Sequence, residues 1–199
     1  MTSNMANLRC FLVFFSSLIV LVACEAPRES PLTGSISFSK LPKINLNVAK
    51  IEVKRIYKAP LKFPNIEHEM PNQLSDAAER WAKDRLRAVG KYGVASLTID
   101  RASVVEVKLE KVGGIRGAFT NNQGERYDVV LSVGIEVLNA ASGGQAAART
   151  TVRASRTISE NATVAEREGL WEQMNNEVMG EFNKAFEARL RKHLSAFLR

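Results

Sequence analysis

Tyr127-Asp-Val-Val-Leu-Ser-Val-Gly-Ile-Glu-Val-Leu138 is the stretch that decides the fold class. Tyr127, Val129, Leu131, Val133, Ile135 and Val137 place an apolar side chain at every second position. Successive side chains of an extended chain point to opposite faces, so this spacing is that of a strand with one dry face. Asn139 to Gly144 follows with turn chemistry, and Ala146 to Ile158 resumes the alternation. There Ala146, Ala148, Val152, Ala154 and Ile158 share one side, and Arg149, Arg153, Ser155 and Thr157 the other. Two such runs around a short turn predict a hairpin.

Upstream, Ser96 to Leu109 reads as a third strand, with Leu97, Ile99, Val105, Val107 and Leu109 on one parity. Residues 110–126 are polar and rich in glycine, which predicts a hairpin tip; Ile115 and Phe119 are its apolar exceptions. Lys43 to Tyr57 also alternates, but Ile44, Leu46 and Val48 occupy one parity and Ile51 and Val53 the other. A phase switch of that kind predicts a bulge or a change of buried face. Proline punctuates residues 58–72, which read as a loop.

Two segments follow the helical period instead. Gln73 to Val89 carries the stripe Leu74, Ala77, Ala78, Trp81, Ala82 and Leu86, with Asn72 as the expected N-cap and Gly90 as the expected left-handed terminator. Thr163 and Glu166 form a capping box ahead of a stripe that runs from Leu170, Trp171 and Met174 through Phe182 and Phe186 to Phe197. The order strand, helix, three strands, helix predicts an α+β two-layer sandwich, β-α-β-β-β-α. Its sheet is expected to be four-stranded and mainly antiparallel, with both helices on one face.

The amino terminus is of another kind. Cys10 to Ala23 is an apolar run of signal-peptide length, shorter than the roughly 20 residues that span a bilayer. Leu21-Val22-Ala23-Cys24 then resembles the bacterial lipobox. The resemblance implies cleavage after Ala23, a diacylglycerol on the Cys24 sulfur and an acylated new amino terminus. A thiolate suits that role as a nucleophile, and two or three chains are needed for lasting attachment. A cleaved secretory signal with an incidental cysteine and an uncleaved anchor are the alternatives. Residues 1–23 are thus expected to be a leader, 24–42 a lipidated cysteine with a flexible tether, and 43–199 a single periplasmic α+β domain.

The lipobox cysteine, the tether and the β-α-β-β-β-α order together resemble small envelope lipoproteins that serve lipid transport. One such family is the auxiliary lipoprotein of ABC-type transport systems. The other is the lipopolysaccharide-assembly lipoprotein that plugs an outer-membrane barrel, although Glu25-Ala26-Pro27-Arg28 departs from the Gly-Phe segment usual after its cysteine. The resemblance implies a non-enzymatic accessory facing the periplasm, held to the membrane through Cys24. Its implied partner is a transport protein or a β-barrel. Glu25 lacks the aspartate that favours inner-membrane retention, which leans the expectation towards the outer membrane.

Composition agrees with a globular envelope domain. The 199 residues hold 28 Lys and Arg against 21 Asp and Glu, for a net charge of +7. This balance excludes an acidic disordered tail, a collagen-like rod and a polytopic membrane protein. Two cysteines, Cys10 and Cys24, cannot staple a secreted scaffold, and no phosphate loop, nucleophile elbow or zinc motif occurs. No catalytic residue, metal or cofactor is therefore expected. His68 reads as a loop residue and His193 as a partner of a helix carboxyl end. Trp171, Phe182, Phe186 and Phe197 read as core ahead of a lipid groove. Arg149, Arg153 and Arg156, with Lys108, Lys111, Arg116 and Arg126 around the hairpin tip, are the candidate site for anionic lipid or a partner; solvated charge is the bland alternative. Ile115 and Phe119 are candidate loop contacts. Nucleic acid is not expected of an exported chain, despite a pI near 9.6.

Overall fold

Val129, Leu131, Val133, Ile135 and Val137 are all buried in the computed structural model, which describes residues 36–110, 123–139 and 143–199. They belong to β5 (Gln123–Asn139), the long central strand. Around it lie β1 (Ile44–Leu46), β2 (Lys50–Arg55), α1 (Leu74–Arg85), β3 (Leu86–Ala88), β4 (Val94–Lys108), β6 (Gly144–Ser159) and α2 (Val164–His193), with a 3-10 turn at Ser195–Phe197. The main sheet has the order β2-β4-β5-β6. β4, β5 and β6 are antiparallel neighbours, while β2 runs parallel to β4 because α1 carries the chain back between them. The architecture is the α+β arrangement expected, with both helices on one face.

The phase switch at residues 43–57 has a specific cause: this stretch is two strands in two sheets. β1 pairs with β3 in a separate parallel ribbon, Ile44 opposite Leu86 and Leu46 opposite Ala88, whereas β2 joins the main sheet. β3 also corrects the expected end of the first helix. α1 stops at Arg85, Gln73 rather than Asn72 is its N-cap, and Leu86 is already extended. Ribbon pairing to β1 outweighs the helical propensity of the last turn.

Gly90 does not terminate that helix and its φ is not left-handed. Its glycine character answers a close approach: a Cβ there would lie 2.5 Å from the Asn47 carbonyl carbon and 2.6 Å from the Val48 nitrogen. Gly93 is the left-handed residue, at φ 86, where the chain turns into β4 beneath the Leu138 carbonyl.

The expected parity of β4 is corrected by a register shift between Ile99 and Arg101. Ala95, Leu97 and Ile99 face the core before it, and Ala102 and Val104 after it, so Val105 and Val107 point away. One extra residue inverts every later side chain.

The core lies between sheet and helices. Trp81 of α1 meets Phe182 and Phe186 of α2 at ring centroid distances of 5.0 and 5.3 Å, and Tyr127 meets Trp171 edge-on at 5.7 Å. Trp171, Phe182, Phe186 and Phe197 are all buried, as the core reading expected. The α2 start carries the expected capping box: Glu166 N–H donates to Thr163 Oγ1 at 3.2 Å, and Thr163 N–H donates to Glu166 Oε2 at 2.7 Å.

Gly90→Ala is expected to destabilise the domain by about 1–3 kcal/mol, since backbone atoms must move to admit the methyl group. Gly169→Ala, with nothing within 4 Å of the added carbon, is expected to leave stability unchanged or raise it by about 0.4–1 kcal/mol. Urea denaturation midpoints read both.

Candidate functional site

The solvent face of the main sheet carries Arg126 and Asp128 from β5 and Arg149, Arg153, Ser155 and Thr157 from β6, as the register requires. Three of the expected arginines, Arg126, Arg149 and Arg153, thus share one face. They do not form one dense patch. Arg149 and Arg153 stand about 13 Å apart along β6, four residues at about 3.3 Å each. Two of the three are neutralised locally. Arg149 Nη1 donates to Asp100 at 2.5 Å, lying across Gly134, which has no side chain to obstruct it. Arg126 Nη2 bonds Asp128 at 2.9 Å, and Ser155 Oγ donates to the same carboxylate at 2.7 Å. Burial alone would raise the Asp128 pKa, but these bonds hold it below its ordinary value. Arg153 has no ion-pair partner among the described residues.

Arg156 is a correction. It sits opposite buried Tyr127 on the helix side of the sheet, where its Nη2 donates to Glu177 of α2 at 2.6 Å. It shares parity with Ala154 and Ile158, so the alternation itself carried that information. Lys108 ends β4 with its ammonium 5.6 Å from the Phe63 ring centroid. Cys24, Lys111, Arg116, Ile115 and Phe119 lie outside the described residues. His68 is in the loop before α1, with Nε2 3.7 Å from Glu69, and His193 lies in the last turn of α2 beside Arg191 and Lys192.

Two polar centres escaped the sequence reading. Arg167, in the first turns of α2, donates to the Tyr127 hydroxyl at 2.8 Å and to the Glu125 carboxylate, and Tyr127 in turn donates to Glu125 at 2.8 Å. Burial and the bond to Glu125 push the Tyr127 hydroxyl up to about 12, so it remains a donor at neutral pH. Burial pulls the Glu125 pKa upward, yet the Arg167 and Tyr127 bonds win and hold it below 4.5. The second centre is Glu67, which is buried. Its Oε1 accepts from Tyr57 at 2.5 Å, Asn65 at 2.8 Å and the Val104 N–H at 3.1 Å. It satisfies the β4 edge where β2 has already ended. Burial and this carboxylate push the Tyr57 hydroxyl well above its ordinary value. Neither centre shows in a single sequence: Arg167 comes from another element than Glu125 and Tyr127, and Tyr57, Asn65 and Glu67, though close in the chain, converge only where their loop meets Val104 of β4.

Beside the sheet, a groove of about 350 Å³ runs between β6 and α2, lined by Arg153, Ala154, Asn176, Glu177, Glu181 and Lys184 among others. β6 is an edge strand of 16 residues. Such an edge offers main-chain donors and acceptors to an added strand. Among the described residues no group of three or more His, Cys, Asp or Glu is disposed to hold a metal ion, and no helix is long and apolar enough to cross a membrane.

No family model and no curated protein matches the chain. Solved structures offer distant likenesses. Rare lipoprotein B from Shewanella oneidensis is 12% identical, with 70% of this chain and 92% of that chain covered and a TM-score of 0.38. A minor lipoprotein from Acinetobacter baumannii is 14% identical over 71% of this chain and 89% of its own, with a TM-score of 0.33. A Xanthomonas campestris protein is 12% identical, covering 71% and 83%, also at 0.33. Likeness of this degree assigns neither a family nor an activity to the chain.

The Glu125 carboxylate is depressed in the folded state, so its stabilising effect is complete above 4.5 and is lost as pH falls through the lower folded value. The melting temperature is therefore expected to hold from neutral pH down to about 5 and then to fall. Arg167→Ala should lower the neutral-pH melting temperature and shrink that acid-dependent drop, read by circular dichroism melts across pH.

Proposed function

We propose that the chain is an acyl-anchored accessory protein of the bacterial cell envelope, serving a lipid or ABC-type transport system without chemistry of its own. The observation that carries this reading is Leu21-Val22-Ala23-Cys24 directly behind a short apolar run. On this reading Cys24 takes the lipid and only the residues before Ile36 give reach, since Phe38 and Pro42 are already bonded to Asp84 and Arg85; the α+β domain is a rigid platform in the periplasm, at the outer membrane rather than the inner. Docking of a transport partner would use the β6 edge and the solvent-face arginines. Their chemistry favours that role: guanidinium forks match carboxylate and phosphate geometry, and Arg153 is uncommitted. Tyr57, Glu67, Glu125 and Arg167 are engaged with one another or with the backbone, an arrangement that suits structure better than turnover.

Labelled palmitate should enter the protein in cells and disappear in Cys24→Ser, with the variant released by washing in plain buffer. An unlabelled wild-type chain that washes free would overturn the anchoring. Arg153→Ser is expected to weaken capture of the envelope partner about tenfold, or ~1.4 kcal/mol, and Arg149→Ser less, because Asp100 already occupies it. Crosslinking mass spectrometry of membrane-extracted protein reads both. Co-purification of a β-barrel whose maturation fails on deletion would replace the transport role with the assembly role.

A further inference from the structure

Basic residues concentrate at a place other than the solvent-face arginines. Segments 36–51, 86–94 and 188–199 contain nine Lys and Arg and no Asp or Glu. They are distant in sequence, but the fold gathers them at one end. β1 pairs with β3, Asn47 N–H donates to the Phe197 carbonyl at 2.8 Å, Arg199 N–H donates to the Asn45 carbonyl at 3.1 Å, and Ala49 N–H reaches the Gly93 carbonyl at 3.0 Å. Lys40, Arg87, Lys91, Arg189, Lys192 and Arg199 are exposed there and have no ion-pair partner among the described residues. Three of the nearby acids are engaged, the first being Glu52, which pairs with Lys50 and Lys54. Asp84 accepts from Ser37 and Phe38, and Glu187 binds Arg85 and Arg191. Glu136 lies on the solvent face, two residues before Leu138.

Apolar groups are exposed at the same end: Tyr92 at 65%, Leu138 at 54%, Val89 at 43% and Leu41 at 40%. Gly93 turns beneath the Leu138 carbonyl, so Tyr92 precedes by one residue the point where the chain meets the Leu138 backbone. The opposite end also exposes apolar groups, Ile56, Leu61 and Phe63, but mixes them with Glu69, Glu106, Glu110 and Glu166. The described chain begins at Ile36 on the acid-free end, where Asp84 pins Ser37 and Phe38. Cys24 precedes Ile36 by twelve residues, a reach of at most about 40 Å. β4 alone, at 15 residues, is about 50 Å long.

We propose that this acid-free end is a docking face for an anionic bilayer: its lysines and arginines meet lipid phosphates, while Tyr92 and Leu138 enter the interfacial layer. The inference deepens the anchoring reading and rests on it for the bilayer's presence. Basic residues beside a membrane are drawn to anionic headgroups, and an aromatic ring with a polar tip suits the headgroup level. Docking of this kind would hold the sheet upright, with the 56–63 segment directed away from the membrane.

Lysine acetylation by a water-soluble reagent tests it, with the full chain reconstituted into vesicles and read by mass spectrometry. In vesicles containing phosphatidylglycerol, Lys40, Lys91 and Lys192 should react about threefold or more slowly than in phosphatidylcholine vesicles, and added salt should reverse the protection. Lys58 and Lys62, at the far end, should react equally in both. Arg87→Glu with Arg189→Glu should abolish the protection with the circular dichroism spectrum unchanged. Equal rates in both vesicles would overturn the proposal. So would protection that is insensitive to lipid charge, or that appears only in native membranes, where an acidic protein would be the occupant. Acylation of Cys24 is read separately by palmitate labelling, so the two readings fail independently.

Discussion

The packing of α2 against both α1 and the sheet is the constraint on which the rest depends. Trp81, Phe182 and Phe186 are fully buried and in mutual ring contact, so neither helix can shift without opening a cavity among large side chains. Polar bonds fix the same contact. Trp81 Nε1 donates to Asn183 at 2.8 Å, and buried Arg85 reaches Asn183, the Pro42 carbonyl and Glu187. Arg85 thereby joins the chain entry, the end of α1 and the last turns of α2. The position of the β1–β3 ribbon, and of the charged end built around it, follows from that junction.

Charge is distributed unevenly over this framework. On the solvent face of the sheet most arginines are matched by a local carboxylate, and exposed pairs of that kind add little stability. Near the Arg167–Glu125–Tyr127 centre, the charges bind the start of α2 to β5 and are partly withdrawn from water. At the end holding both β1 and the carboxyl terminus, Lys50 and Arg191 are paired, while Lys40, Arg87, Lys91, Arg189, Lys192 and Arg199 have no acidic partner among the described residues. An unbalanced cationic surface is costly to keep compact and useful mainly towards an anionic partner. A sum over the whole chain hides this, because +7 is shared between a nearly balanced body and one strongly basic end.

Much of the architecture was legible in the chain. The alternation of β5 and β6, the capping box at Thr163 and the aromatic stripe of α2 each announce themselves over many residues, because one-sided burial imposes its period locally. The errors fall where a nonlocal contact overrode the local pattern. The first helix ended early because Leu86 to Ala88 found a strand partner in β1. The parity of β4 inverted because one residue bulged against β5. Arg156 is the exception, because its local spacing, shared with Ala154 and Ile158, already sets it apart from Arg149 and Arg153 and beside α2.

The sequence by itself determined the class of fold and the buried faces of its long elements, and it carries a lipobox-like Leu21-Val22-Ala23-Cys24. These are properties of contiguous residues, and steric periodicity or a short motif suffices to express them. Tertiary structure alone decided the buried Glu67 and Arg85 centres, the separation of the arginines and the union of three acid-free segments at one end. Each depends on which distant segments become neighbours, and that is set by packing of the core rather than by any local spacing.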